Sequence, residues 1–295
     1  MFLKKTSQTE KIMILVTGAT GNNGQEIVKQ LVEARQEVRI LVRNPEHAIA
    51  LKKLGVEIVK GDFADSKTLD RALQGVEKAL LLTSNSLQQV EHEQNFIDAA
   101  KRQGIKHIVK FSAIGVDINS PILILNWHAQ AEQYLEKSGI AFTHLRPAFF
   151  RQNMLQFAPA SQNEVYLPFE NAAIAMVDIR DIAAVATTVL TEKGHEGKTY
   201  NITGAEAITI NRAVDKISEV RGNRLKYVPI SPEAFKQGLL EYGQPEWLAD
   251  ALTELFKPIV RGSQSEITTA IVDVTNRQPI TFARFVRDYA SAFKE

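Results

Sequence analysis

The segment Val16-Thr17-Gly18-Ala19-Thr20-Gly21-Asn22-Asn23-Gly24 decides how this chain of 295 residues is read. Its three glycines are spaced G-x-x-G-x-x-G. Ahead of it, Lys11–Thr17 (KIMILVT) is an almost unbroken apolar run, as expected of a strand buried on both faces of a sheet. Behind it, Asn22–Ala34 carries Ile27, Val28, Leu31 and Val32 at helical spacing. Strand, glycine turn and helix in that order make a cradle for phosphate. Gly18 permits the tight turn, Gly21 lets backbone amides approach a pyrophosphate, and Gly24 lets the helix lie close on the sheet.

The same alternation continues along the first half of the chain. Glu37–Val42, Val56–Val59, Ala79–Thr83, His107–Ser112 and Ala141–Leu145 read as further strands. Pro45–Leu54, Ser66–Leu73, Val90–Gln103 and Ile122–Lys137 read as the helices between them. Six strands separated by helices predict an α/β, Rossmann-type doubly wound parallel sheet. Past Pro147 the rhythm changes. Asp178–Leu190 reads as a helix returning to the sheet and Thr199–Ile202 as a short strand. Helical segments then follow near Asn211–Arg221, Pro232–Tyr242, Pro245–Phe256 and Thr281–Phe293. The division expected is a dinucleotide-binding domain over 11–148 and 173–204, with a smaller, mostly helical lobe over 149–172 and 205–295. Residues 1–10 are expected to be a flexible tail.

Charge and composition narrow the chemistry. Lys and Arg total 35 against 34 Asp and Glu, a net charge of +1 that gives no field for nucleic acid or an acidic membrane. There is no cysteine, which removes disulfides, thiolate zinc sites, iron–sulfur clusters and thiol nucleophiles. The six histidines lack metal-binding helical spacing, so no metal is expected. A cytoplasmic location fits this composition.

The end of the second strand selects the dinucleotide. An NAD site usually has Asp or Glu there for the ribose hydroxyls, whereas this chain has Val42-Arg43-Asn44. Arg43 would pair with a 2′-phosphate, predicting NADP(H) over NAD(H); the other reading is a solvated surface arginine. Asp62 and Phe63, after the third strand, fall on the adenine side, and Thr83-Ser84-Asn85 would border ribose and pyrophosphate. The other readings are that Asp62 caps the turn near Ser66 and that Thr83–Asn85 is ordinary loop polarity. Ser112, ending the fifth strand, is placed to touch nicotinamide or substrate.

What is missing is equally informative. Carbonyl-reducing short-chain dehydrogenases use Tyr and Lys at i,i+4, and none of the six tyrosines has a lysine four residues on. The helix after the fifth strand instead offers His128 and Glu132 on one face. A neighbouring carboxylate would raise the imidazole pKa and let His128 donate a proton or orient a substrate. Equally, the two could be a hydrogen-bonded surface pair.

Several stretches together resemble the NmrA-like branch of atypical short-chain dehydrogenases. They are VTGATGNNG at Val16–Gly24, LVRNPE at Leu41–Glu46, GDF at Gly61–Phe63 and W-H-x-x-x-E at Trp127–Glu132. LRPAFFRQN at Leu145–Asn153 and VLTEKGHEGKTYNITG at Val189–Gly204 complete the match. Within that branch the chain is most similar to NADPH-dependent quinone reductases and triphenylmethane-dye reductases. The resemblance implies hydride transfer from NADPH to a planar conjugated acceptor stacked on the nicotinamide. It also implies that Gly18, Thr20, Gly21, Asn22, Asn23 and Gly24 hold the pyrophosphate and that Arg43 holds the 2′-phosphate. Ala113, Trp127, His128, Phe149, Phe150 and Asn153 would surround the nicotinamide and acceptor. The branch includes proteins that resemble redox sensors, so a dinucleotide-binding regulator with a protein partner is the alternative. Monomer and homodimer are both compatible with the sequence.

Overall fold

The computed structural model describes residues 12–294, so the expected tail lies outside the described residues. Elements β1 (Met13–Val16), α1 (Asn22–Glu33), β2 (Glu37–Val42), α2 (Ile49–Lys52) and β3 (Glu57–Lys60) open the chain. They are followed by α3 (Ser66–Leu73), β4 (Lys78–Leu81), α4 (Gln89–Arg102), β5 (His107–Phe111), α5 (Leu123–Lys137) and β6 (Ala141–Pro147). The helix expected over Pro45–Leu54 is a 3₁₀ turn at Pro45–Ala48 running into the single turn of α2.

After β6 come α6 (Met154–Phe157), β7 (Glu164–Leu167), β8 (Ala173–Ile174), α7 (Ile179–Thr191), β9 (Lys198–Ile202) and β10 (Ile208–Thr209). The chain ends with α8 (Ile210–Arg221), β11 (Lys226–Pro229), α9 (Pro232–Glu241), α10 (Glu246–Val260), α11 (Ala270–Thr275), α12 (Phe282–Asp288) and α13 (Ala290–Lys294). The last expected helix is thus two, separated at Tyr289.

Seven strands form one parallel sheet in the order β3-β2-β1-β4-β5-β6-β9. The order reverses direction between β1 and β4, and the crevice outside the strand ends at such a point is where ligands bind. Thr17 fixes that junction: its N–H donates to Leu80 O at 3.1 Å, and its hydroxyl accepts from Leu82 N at 2.8 Å. Ile14, Val16, Val109 and Leu145 face α1 and α7 on one side of the sheet. Leu15, Leu81 and Ile108 face α3 and α4 on the other.

The second apolar core belongs to the smaller lobe, where Phe149, Phe169, Phe256, Phe282 and Phe285 gather with Met154 and Ile217. Two short sheets that the sequence pattern did not reveal support it: β7 pairs parallel with β11, and β8 antiparallel with β10. One C-terminal piece packs elsewhere, since Ile271 and Val274 of α11 join the core on the sheet side.

A buried polar cluster joins the two cores. Asp178 caps α7 and accepts from Gln152 Nε2 at 2.9 Å, while Arg180 bridges Asp178 and Asp288, each at 2.7 Å. Arg151, fully buried, donates to Ile280 O, and Ile280 N donates to Asp181 Oδ2 at 2.8 Å. Burial pushes the Asp181 carboxyl up to about 6 from an ordinary 3.8, against the pull of the Ile280 N–H. Between pH 4 and 6 the native protein therefore holds a proton that the unfolded chain has released. Stability falls as pH rises through that window, by roughly 3 kcal/mol once both states are ionised. Asp181→Asn keeps an acceptor for Ile280 N and cannot ionise. Its unfolding free energy relative to the parent should climb from pH 4 to pH 6.5, as read by denaturant titration; a constant difference would refute this account.

Candidate functional site

The glycine loop is shaped by contacts within the backbone itself. Gly18 sits at φ +62°, and a Cβ there would lie 2.7 Å from Leu82 O. A Cβ on Gly24 would lie 2.2 Å from Gly18 O and 2.7 Å from Ala19 Cα, so only glycine lets α1 start this close to β1. Gly21 differs. The nearest atom to a Cβ there is Gly18 O at 3.5 Å, an ordinary contact, so nothing in the protein itself demands a glycine.

α1 also begins without a side-chain cap and without an acidic residue in its first turn. Four amides at a helix start lack intrahelical partners and normally find a capping side chain. Here they face the exposed Thr20, Gly21 and Asn22, and the buried Asn23 Oδ1 has no partner. An open cradle, free amides and the positive end of the helix dipole fit a pyrophosphate.

Arg43 stands past the end of β2, exposed and outside every hydrogen bond and ion pair among the described residues. The neighbouring Asn44 is occupied, its side chain accepting from Glu46 N at 3.0 Å. Asp62 accepts from Ala64 N at 2.9 Å, and Asp65 rather than Asp62 caps α3. The half-buried Phe63 stacks on His92 with centroids 6.0 Å apart and leans on Phe96. Ser84 and Asn85 are exposed at the loop after β4. The Thr83 hydroxyl is turned inward, donating to Glu93 Oε1 at 2.5 Å, so its proton is not free for a ribose or phosphate.

That hydroxyl enters the buried network around His128. Lys110, fully buried on β5, places Nζ 3.1 Å from Glu93 Oε1, 2.8 Å from Phe111 O and 3.0 Å from His128 Nδ1. Gln89 Nε2 approaches the same Nδ1 at 3.5 Å and Glu93 Oε1 at 3.4 Å. Sequence reasoning missed Gln89, Glu93 and Lys110. The available signal was a lysine inside the apolar strand HIVKFS, which needs a buried partner.

The expected partnership of His128 with Glu132 is corrected by this arrangement. Glu132 turns to Arg146, whose guanidinium donates to both of its oxygens, one at 3.0 Å. Burial alone would raise the Glu132 carboxyl, but Arg146 and His144 hold it below the usual range. His128 is buried rather than a surface residue, and its pKa moves down instead of up. Burial is the larger cause, and the neighbouring Lys110 is the second.

Ser112 is buried and Ala113 half-buried where β5 ends. Trp127 packs on Trp247 of α10 at 6.0 Å between ring centroids, closing one side of α5. The two adjacent phenylalanines part company. Phe149 meets Phe157, Phe169 and Phe256 in the smaller lobe, while Phe150 leans edge-on against Phe111 at 6.4 Å on the sheet side. Asn153 is half-buried in the 3₁₀ turn that follows.

A sheet of this order, with an open phosphate cradle at its switch point, defines a dinucleotide-binding α/β protein of the Rossmann class. The chain belongs to the NmrA-like family, whose model matches residues 10–276. It is 38% identical over 283 residues to an NAD(P)H azoreductase of Xenophilus azovorans, covering 95% of this chain and 99% of that relative. Its fold superposes on an NADPH-dependent quinone oxidoreductase of Escherichia coli, solved with NADPH. The TM-score is 0.85 at 31% identity, with 94% of this chain and 99% of the other covered. A Citrobacter sp. triphenylmethane reductase solved with NADP(H) gives a TM-score of 0.82 at 27% identity, covering 93% and 99%.

The two loop glycines should respond differently to a methyl group. Gly24→Ala forces backbone apart and should cost ~2–3 kcal/mol in chemical denaturation. Gly21→Ala, a helix N-cap change into open space, should cost at most about 1 kcal/mol. Equal losses would show that the cradle at Gly21 is filled by the protein itself.

Proposed function

We propose that the chain is an NADPH-dependent oxidoreductase that passes hydride to a small planar conjugated acceptor such as a quinone. The observation that carries this reading is the uncapped start of α1 beside the open Gly21 position. NADPH, when bound, supplies the hydride and its electron pair. The protein's own work is to hold, align and shelter. Amides of Asn22, Asn23 and Gly24 would bind the pyrophosphate over the open Gly21, and the Arg43 guanidinium the 2′-phosphate. Ser112 and Ala113 at the end of β5 would border the nicotinamide, with His128 facing the acceptor. Apolar walls from Trp127, Phe149 and Phe150 would stack a flat ring and exclude water, so that orientation does most of the catalysis.

The absence of a Tyr/Lys pair fits an acceptor whose conjugation already delocalises the incoming charge. The azoreductase, quinone reductase and triphenylmethane reductase relatives, by their names, reduce conjugated molecules of this kind. No helix among the described residues is long and apolar enough to cross a membrane. The cysteine-free composition is the ground on which we place the reaction in the cytoplasm.

Purified protein mixed with NADPH and a panel of quinones, azo dyes and triphenylmethane dyes should consume the reduced nicotinamide absorbance. Tight binding without turnover across the panel would overturn the enzyme and leave a dinucleotide-binding regulator. Arg43→Glu should raise the KM for NADPH about 10- to 100-fold, the loss of a charge-assisted hydrogen bond. The KM for NADH should move much less. A uniform change for both would remove Arg43 from the phosphate.

A further inference from the structure

The buried lysine of β5 has a role that cofactor binding leaves unexplained. An ammonium has three protons and no acceptor. At Lys110 three acceptors surround Nζ: Glu93 Oε1 at 3.1 Å, Phe111 O at 2.8 Å and His128 Nδ1 at 3.0 Å. The second oxygen of Glu93 is also 3.0 Å away, completing an ion pair in which both side chains are fully buried. That second oxygen takes no hydrogen bond, so the three Nζ protons fall to Glu93 Oε1, Phe111 O and Nδ1 of His128. A proton on Nδ1 would put two donors face to face at 3.0 Å.

The imidazole is left with its single proton on Nε2, at the opposite edge of the ring. Nε2 makes no hydrogen bond among the described residues, and His128 retains 8% exposure. The charged groups around the ring are Lys110 from the sheet and Glu93 from α4. Glu132, on its own helix, is committed to Arg146.

We propose that Lys110 and Glu93 are positioning residues that lock His128 as its Nε2–H tautomer, so that the ring meets the acceptor as a neutral hydrogen-bond donor. This rests on the reading of the site as a reductase and adds an acceptor preference to it. Acceptors with a carbonyl oxygen or azo nitrogen conjugated to the hydride-receiving atom gain from the donor. Cationic triphenylmethane dyes, whose charge is cancelled by hydride, have no such atom to offer.

With a quinone, hydride is received at one carbonyl oxygen, the ring becomes aromatic, and the electron pair appears as negative charge on the other oxygen. The Nε2–H bond stabilises that oxygen as charge develops. The imidazole keeps its proton, because losing it would leave an imidazolate, and water protonates the hydroquinone anion. Oxidised nicotinamide and hydroquinone are the products. The same device, a neutral imidazole acting as electrophile, is known in isomerase chemistry.

The direct test is nitrogen NMR of protein labelled with ¹⁵N-histidine at pH 7. His128 should show a protonated Nε2 and an unprotonated Nδ1; an Nδ1–H or imidazolium signal overturns the proposal. The variant Lys110→Met/Glu93→Gln removes both charges together and so avoids stranding one in the core. In it the His128 signals should shift toward the Nδ1–H tautomer. Its kcat for a quinone should fall roughly 10- to 100-fold more than its kcat for a cationic dye. The pH profile for quinone, flat from pH 6 to 8 in the parent, should have its acid limb move upward toward, but not reach, the ordinary imidazole range, because burial of the ring persists. Equal losses on both acceptors overturn the donor role. Should the variant fail to fold, the spectrum of the parent still decides the tautomer. Absence of turnover on every acceptor, the cationic dye included, would defeat the reductase reading while leaving that spectrum to decide the tautomer.

Discussion

The approach of Gly24 to the carbonyl of Gly18 is the constraint from which the molecule is laid out. A methyl group at that point would sit 2.2 Å from an oxygen, so helix and strand touch through backbone alone. This closeness aims the first turn of α1 at the crevice where the strand order reverses. It also sets the depth at which Ile27, Val28 and Leu31 enter the core shared with α7. Thr17 then ties the same turn to β4 through the Leu82 amide. Cradle, sheet and rear helix are thus consequences of one contact between two residues six apart.

A second constraint acts on the other face of the sheet. A lysine and a glutamate taken wholly out of water are costly unless geometry and hydrogen bonding compensate. Lys110 and Glu93 meet that demand by recruiting Thr83, Gln89, the Phe111 carbonyl and His128. In general, hydrophobic residues of similar volume often replace a buried ion pair at no loss of stability. The arrangement makes sense as an electrostatic setting for one imidazole, placed beside the end of β5.

The sheet was legible because a parallel strand buried on both faces leaves an apolar run, and each crossover helix leaves a 3.6-residue rhythm. The glycine loop was legible partly for a similarly local reason, since Gly24 is dictated by Gly18 and Ala19, although Gly18 is constrained by the distant Leu82. The smaller lobe was less so. Ile208 pairs with Ile174, and Lys226–Pro229 with Glu164–Leu167, strands of two to four residues whose pairing comes from tertiary contact. Local propensity carries little weight in such pieces. The face shared by His128 and Glu132 was visible from their spacing, but not what would compete for each. Arg146 lies on a strand 14 residues past Glu132, and Lys110 on another strand 18 before His128. Spacing along one helix carries no information about either, and the expected direction of the imidazole shift was reversed first by burial and then by Lys110. Phe149 and Phe150, expected beside the acceptor, are packed against different cores, a split that their adjacency in the sequence does not show.

That divergence at one peptide bond has a consequence for the chain as a whole. Phe149 is a member of the smaller lobe's aromatic cluster, while Phe150 packs against the sheet side, although both follow the same strand. The join is therefore a rivet, with no spacer that would let either part turn independently. Cutting the chain there would strip a ring from each core and leave sticky apolar surface on both fragments. Nature could swap loops around the rim of such a molecule, but not graft one lobe onto another sheet without rebuilding both interiors.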